Sequence, residues 1–454
     1  MKYFAHNWTG YKIDLLHYLI GLSAFLISIL ISFLIADFIR NMIGIERELS
    51  IIYNNNFILS ILFILAILIV FYLNKSIIKN DSMILLYGLI AVFFFMVLIN
   101  IIFKLFLFKT YGDVGYLPMV IDSGNPFSRW LGGTKLLIVI YNNFQEVFKI
   151  SAINFIKFFG ATLMALTSIL FIYKNHEKFS ITFPIFSPIW LLFSSGYDEY
   201  YPFIVGLYLL SVSLIASRKT PENLAIPIIA AILPVMYIGF APLGLILLFK
   251  YWIDHPKNRY IAFFLSMLFY FIGLIVLWPA DIIDYIKHLY SDLNLGEKNT
   301  FWPPYQGKSS SSLSPFFSIS YALSLQHFMD LFYMLFFGAG WITPLVILAL
   351  SPLKVMECLS IVDWKNILKN INFLFYGLLF WQIYYFIFMI PKLGPSRDFD
   401  LFFGLYIVLS FMAGALLDDQ FEREKIRKIF KYYIYIVTFG SNSSILYMLL
   451  FIGN

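Results

Sequence analysis

The chain has 454 residues, of which 61% are hydrophobic and 13% charged, with a formal net charge of +6. A soluble globular chain is about a quarter charged, so this composition excludes an ordinary water-facing surface. The modest charge fits a positive-inside bias better than nucleic-acid binding, since no basic stripe exceeds the short segment Arg423–Lys431, and the single cysteine, Cys358, excludes an intramolecular disulfide and a multi-cysteine metal site.

Apolar runs of about 20 residues recur from end to end, each long enough to cross a bilayer core of about 30 Å. They are continuous rather than alternating, which selects helices over a barrel. The expectation is therefore an all-α, polytopic transmembrane helical bundle of about 13 spans, with a range of 11–14. In chain order the runs are 15–39, 55–74, 83–108, 151–173, 181–195, 201–217, 223–239, 240–250, 259–279, 328–350, 371–391, 399–417 and 432–451. The first is too long for a signal-peptide core and lacks a small-residue cleavage pattern. Runs 181–195 and 240–250 are short, which fits tilted, broken or re-entrant helices. Between the third and fourth runs, residues 109–150 open polar and continue with mixed polarity, as interfacial helices do. Residues 1–82 read as an N-terminal two-helix addition to a module spanning 83–454.

Lysine and arginine set the orientation. With the N-terminus cytoplasmic, the inside segments carry nineteen of the 32 basic residues in short loops. The longer outside loops carry eleven. Four of the outside segments then stand out: 109–150, Gly196–Pro202, 281–327 and Pro391–Asp400.

These segments hold the residues suited to chemistry. Asp113 lies in Tyr111-Gly-Asp-Val-Gly-Tyr116, where flanking glycines let the backbone turn at the membrane face. Partial desolvation there suits a carboxylate to accept a proton from a hydroxyl; the plainer reading is a loop acid capping a turn. Asp122 follows in the same loop. Asp198 and Glu199 share a turn too short for good solvation, so they call for a cation, a hydrogen-bond network or a water-filled cavity. They are suited to hold a divalent metal, magnesium or manganese, through oxygen ligands, or to position a sugar hydroxyl; the plainer reading is a helix N-cap with a solvated neighbour. Arg397 has the planar fork that matches phosphate, with Asp398 and Asp400 beside it; the alternative is an interfacial ion pair closing a helix hairpin. His288 and His327, with Lys287 and Lys298, are phosphate or acceptor contacts or simply solvated side chains. The histidines show no zinc spacing, and no Gly-x-x-x-x-Gly-Lys run exists for a phosphate-binding loop.

Three of these segments carry a resemblance. Gly112-Asp113, Gly196-Tyr-Asp-Glu-Tyr-Tyr-Pro202 and Leu393-Gly-Pro-Ser-Arg-Asp-Phe-Asp-Leu401 occur in the same order as similar short motifs in a prokaryotic branch of the GT-C superfamily of integral membrane glycosyltransferases. The likeness spans roughly residues 83 to 450. It implies transfer of a sugar from a polyprenyl-phosphate donor to a lipid, glycan or protein acceptor on the non-cytoplasmic face. It assigns Asp113 as general base and Arg397 to the lipid phosphate, with Asp198, Glu199, Asp398 and Asp400 shaping the substrate site or binding a metal; His288 joins the substrate-binding set on its position alone. The implied setting is a multi-pass protein of a prokaryotic cell membrane, or of the endoplasmic reticulum in a eukaryote. Three features depart from the family: the key acid follows the third run rather than the first, no Trp-Trp-Asp signature is present, and no second acid stands directly beside Asp113. A polytopic transporter, a lipid-linked-glycan flippase and a non-catalytic subunit of a membrane complex remain as alternatives.

Overall fold

The computed structural model describes residues 116–124, 131–175, 179–194, 197, 201–216, 224–236, 240–277, 322–358, 374, 377–383, 402–424 and 428–451, with scattered positions between 23 and 38. Among the described residues all regular structure is helical and no strand occurs. In chain order the helices are α1 (Tyr116–Ser123), α2 (Leu131–Phe148), α3 (Ala152–Asn175), α4 (Phe179–Ile185), α5 (Pro188–Ser194), α6 (Tyr201–Ala216), α7 (Ala225–Met236), α8 (Ala241–Asp254), α9 (Arg259–Leu277), α10 (Leu325–Ala339), α11 (Ile342–Cys358), α12 (Phe403–Glu424) and α13 (Lys428–Phe451). Helix α3 packs on α6, α7 on both α8 and α9, α4 and α11 on α12, and α13 on α5.

The chemistry of the helix faces is inverted relative to a water-soluble bundle. Ser28 and Ser32 are buried, while Ile27, Leu30, Leu34 and Phe38 are exposed. On α9, Ala262 and Ser266 face inward, while Phe264, Met267, Phe271 and Ile275 face outward. On α10, His327 and Asp330 are buried, and Leu325, Phe328 and Phe332 are exposed. Small and polar residues let helix backbones approach and bond across the interface, as they do in apolar solvent. Ser266 does so, donating to the carbonyl of Pro227 on α7 at 2.9 Å. One helix among the described residues, over Phe403–Gln420, is long and apolar enough to cross a membrane, and up to three are if each sharply bent pair counts as one span.

Two runs that read as single spans are broken. Run 181–195 divides at Phe186-Ser187 into α4 and α5. Pro188 has no N–H for the carbonyl of Pro184, its helical acceptor. Ser187 replaces that donor twice, through its N–H at 3.0 Å and its hydroxyl at 2.6 Å. Ser187 Oγ also accepts from Trp190 N–H at 3.4 Å, so it caps α5. This diverts the donor that Phe186 O would use in a continuous helix. Asn442 of α13 supplies it instead, donating from Nδ2 at 2.8 Å.

Run 328–350 bends by 104° between α10 and α11. The corner is Gly340, at φ +81°, a left-handed conformation that glycine adopts without strain. Asn442 Oδ1 lies against it so closely that a Cβ at 340 would collide. Trp341 Nε1 donates to Ser32 Oγ at 2.9 Å, and Ser32 Oγ lies 3.1 Å from Ser441 Oγ. Both breaks therefore rest on the same turn of α13. Irregular backbone inside an apolar bundle persists where protein groups satisfy it.

At the far end of α4, the carboxylate of Asp418 on α12 accepts from the N–H groups of Phe179 at 2.7 Å and Ser180 at 2.9 Å. An acid at a helix N-terminus satisfies orphan donors and meets the positive end of the dipole. Asp418→Ala should cost about 1–2 kcal/mol in detergent unfolding titrations, with Asp418→Asn losing less because its amide oxygen still accepts one bond.

Candidate functional site

Asp113, Asp198, Glu199, His288, Arg397, Asp398 and Asp400 lie outside the described residues, as does most of segment 1–82. The chain on either side of the two charged turns is described. Tyr197 and Tyr201 border Asp198 and Glu199, and Phe402 and Phe403 follow Asp400. All four aromatics are buried.

The rings of Tyr197, Tyr201 and Phe403 form one continuous layer with Phe193. Phe193 at the end of α5 stacks on Tyr197 at 5.6 Å, and Tyr201 at the start of α6 meets Phe403 at the start of α12 at 5.8 Å. Phe403 continues to Trp381 at 6.2 Å, and Trp381 to Phe240, just before α8, at 5.7 Å. A second ladder joins the same end: Tyr141 to Phe155 at 5.5 Å, Phe155 to Phe159 at 5.5 Å, and Phe159 to Phe203, two residues past Tyr201, at 5.4 Å. The C-terminal end of α5 and the N-terminal ends of α3, α6, α8 and α12 thus meet at one end of the bundle. Offset and tilted ring pairs of this kind hold helix ends in register by contacts worth about 0.5–1.5 kcal/mol each beyond their burial.

The loop expected to hold interfacial helices contains α1 and α2, and α2 turns by 106° into α3. Lys149, at φ 52°, makes that corner. The C-terminal half of α2 exposes Asn142, Asn143, Gln145 and Glu146 together with Phe144, Val147 and Phe148, a mixed surface suited to a boundary between water and lipid. Tyr141 OH lies 3.2 Å from Asp122 Oδ1 and 3.3 Å from the carbonyl of Ile150, pinning α2 to α1 and to the corner. Burial, and then the charge and hydrogen bond of Asp122, hold the Tyr141 phenol above its ordinary pKa.

Asp330 was not among the residues singled out from the sequence. Asp330 is fully buried on α10, three residues after the buried His327. Gln326 donates to its Oδ1 from Nε2 at 2.8 Å. The available signal was an acid two residues inside an apolar run, with a histidine one turn before it. At the other end of the bundle the charges serve structure: Asp418 caps α4, and Lys250 Nζ binds both carboxylate oxygens of Asp254 at 2.6 and 2.8 Å. Among the described residues no group of three His, Cys, Asp or Glu side chains could hold a metal ion.

No protein family, curated protein or solved structure matches the chain.

Proposed function

We propose that this chain is a polytopic membrane glycosyltransferase that uses a polyprenyl-phosphate-linked sugar. The reading is carried by one observation: the helix ends that border both charged turns converge, through their rings, with the α1–α2 end of the Asp113 loop. Charged segments gathered at one end of a bundle with an apolar exterior suit a reaction between a lipid-borne donor and a polar acceptor. In this scheme Asp113 takes the proton of the acceptor hydroxyl. The hydroxyl oxygen bonds to the anomeric carbon, the bond from that carbon to the phosphate oxygen breaks, and polyprenyl phosphate leaves with the electron pair. Arg397 meets that phosphate, and Asp198, Glu199, Asp398, Asp400 and His288 bind substrate or, for the first two, a divalent cation. The membrane has about thirteen crossings in this scheme, two of them broken helices. The test is sugar transfer in membranes by the wild type and by Asp113→Asn.

A second reading has its own observation. Two broken helices whose breaks meet at Asn442 resemble the discontinuous helices that transporters place at their binding sites. Substrate flux into liposomes that survives Asp113→Asn and fails with Asn442→Leu would favour transport over transfer.

A further inference from the structure

Helix α3 holds a buried cation. Lys157 stands five residues after Ala152, the first of the helix, and is 3% exposed. An ammonium inside an apolar bundle is costly and is kept there by a partner of opposite charge. Successive helix residues are about 100° apart around the axis. Lys157 therefore shares its face with Met164 and Ser168 and lies nearly opposite Phe155. Phe155 marks the side that meets Tyr141 and, through it, Asp122. Asp122 thus stands across the helix from Lys157.

Two neighbouring helices fix the level of Lys157 along the axis. On one flank, Trp190 of α5 donates from Nε1 to Ser168 Oγ at 2.8 Å. Helix α5 runs antiparallel to α3, since its C-terminal end meets the N-terminal end of α3. Lys157 precedes Ser168 by eleven residues, about 16 Å at the helical rise. Followed from Trp190 through the end of α5, the chain first covers that length at Tyr197, even fully extended. On the other flank, α6 runs parallel to α3. A Cβ on Gly160 would lie 3.1 Å from Pro202 and one on Gly206 2.6 Å from Leu163, while Thr167 Oγ1 is 3.3 Å from the carbonyl oxygen of Gly206. Gly160 is level with Pro202, so Lys157, one turn earlier, is level with the chain just before Tyr201. Both flanks point to the segment bounded by Tyr197 and Tyr201, which contains Asp198 and Glu199. Long helix side chains lean toward the helix N-terminus, and this sends the ammonium toward the same end of the bundle.

We propose that Lys157 is the counter-charge of the Asp198–Glu199 turn. Two adjacent acids in so short a turn call for a cation, and a buried ammonium level with them supplies it from within the chain. One positive charge against two carboxylates leaves one net negative charge, a weaker attraction for a divalent ion than two free carboxylates exert. Of the two roles open to the turn, this favours accepting from a substrate hydroxyl over holding a metal. The ion pair stands apart from the glycosyltransferase reading. On that reading, Lys157 is a positioning residue that fixes the acids which bind substrate.

The test is a charge-removal cycle on the full chain, purified in detergent and read by thermal unfolding. Lys157→Met should lower the melting temperature, and Lys157→Arg should lower it less. Asp198→Asn combined with Glu199→Gln should also lower it. Adding those two changes to Lys157→Met should recover most of the Lys157→Met loss, because no lone buried charge remains. Asp113→Asn or Asp330→Asn added to Lys157→Met should recover none of it. Losses that add in full, recovery through Asp113 or Asp330 instead, or a Lys157→Met protein as stable as the wild type would overturn the pairing. If Lys157→Met yields no folded protein, the return of folded protein in the triple variant supports the pairing and its continued absence contradicts it. Manganese that raises the melting temperature of the wild type, but not that of Asp198→Asn with Glu199→Gln, would give the turn to a metal instead. Sugar transfer in membranes reads the positioning role: transfer lost in Lys157→Met and kept in Lys157→Arg, at a temperature where both are folded, supports it. Recovery in the melting cycle with no transfer by the wild type would keep the ion pair and remove the glycosyltransferase reading. Transfer by the wild type with no recovery in the cycle would do the reverse.

Discussion

Asp113→Asn should lower the rate of sugar transfer by about 100- to 10,000-fold, the usual contribution of a positioned general base. Each tenfold corresponds to about 1.4 kcal/mol of barrier, so the expected loss is about 3–5 kcal/mol. Asparagine keeps the shape and one acceptor oxygen but cannot take up the acceptor's proton. Substrate binding should change far less than turnover, because the amide still occupies the same space. The comparison is made in membranes, with protein level and thermal stability matched. Equal turnover in the wild type and the variant removes Asp113 as base.

The second large effect is on stability and lies at the opposite end of the bundle. Gly414→Val should cost about 3 kcal/mol or more, at or above the upper end of ordinary overpacking. A Cβ at Gly414 would stand 2.6 Å from Ser180 N and nearer still to the carbonyl of Phe179. These are backbone atoms of the first turn of α4, and they cannot rotate aside. Moving them also pulls Phe179 N and Ser180 N from the carboxylate of Asp418, one turn further along α12. The close approach and the cap are one feature, so Gly414→Val and Asp418→Ala should be far from additive. Gly124→Ala makes a useful contrast. Nothing lies within 4 Å of a Cβ there, and only the positive φ of 68° opposes it, so its cost should be about 1 kcal/mol. Detergent unfolding titrations of the three variants would show whether packing or backbone conformation dominates; a smaller loss for Gly414→Val than for Gly124→Ala would contradict the packing account.

Helical structure was legible in composition because continuous apolar runs leave no other spanning form. The helices of the loop at 109–150 were legible in its mixed polarity, which survives as the two-sided surface of α2. The division of 181–195 was legible in its length, and Pro184 and Pro188 supply the cause. The corner at Gly340 was not. Its neighbours are apolar, and the groups that fix it, Ser32, Ser441 and Asn442, lie about three hundred residues before it and a hundred after it. Nothing local distinguishes that glycine from one in a straight helix. Asp330 was missed for a related reason: an apolar run averages over a single acid, and only burial separates an inward carboxylate from one at a frayed helix start. The candidate acids of the two charged turns lie outside the described residues, and the rings of Tyr197, Tyr201 and Phe403 bring the flanks of those turns together.

The central claim is that the charged segments share one side of a membrane and the capping charges the other. Single cysteines introduced in a Cys358→Ser background at 113, 199 and 398, and at 257 between α8 and α9, test it with a membrane-impermeant maleimide on intact cells. The account predicts labelling at 113, 199 and 398 from outside, and at 257 only after the membrane is opened. Labelling of 257 from outside, or of any of the other three only from the cytoplasm, would contradict it.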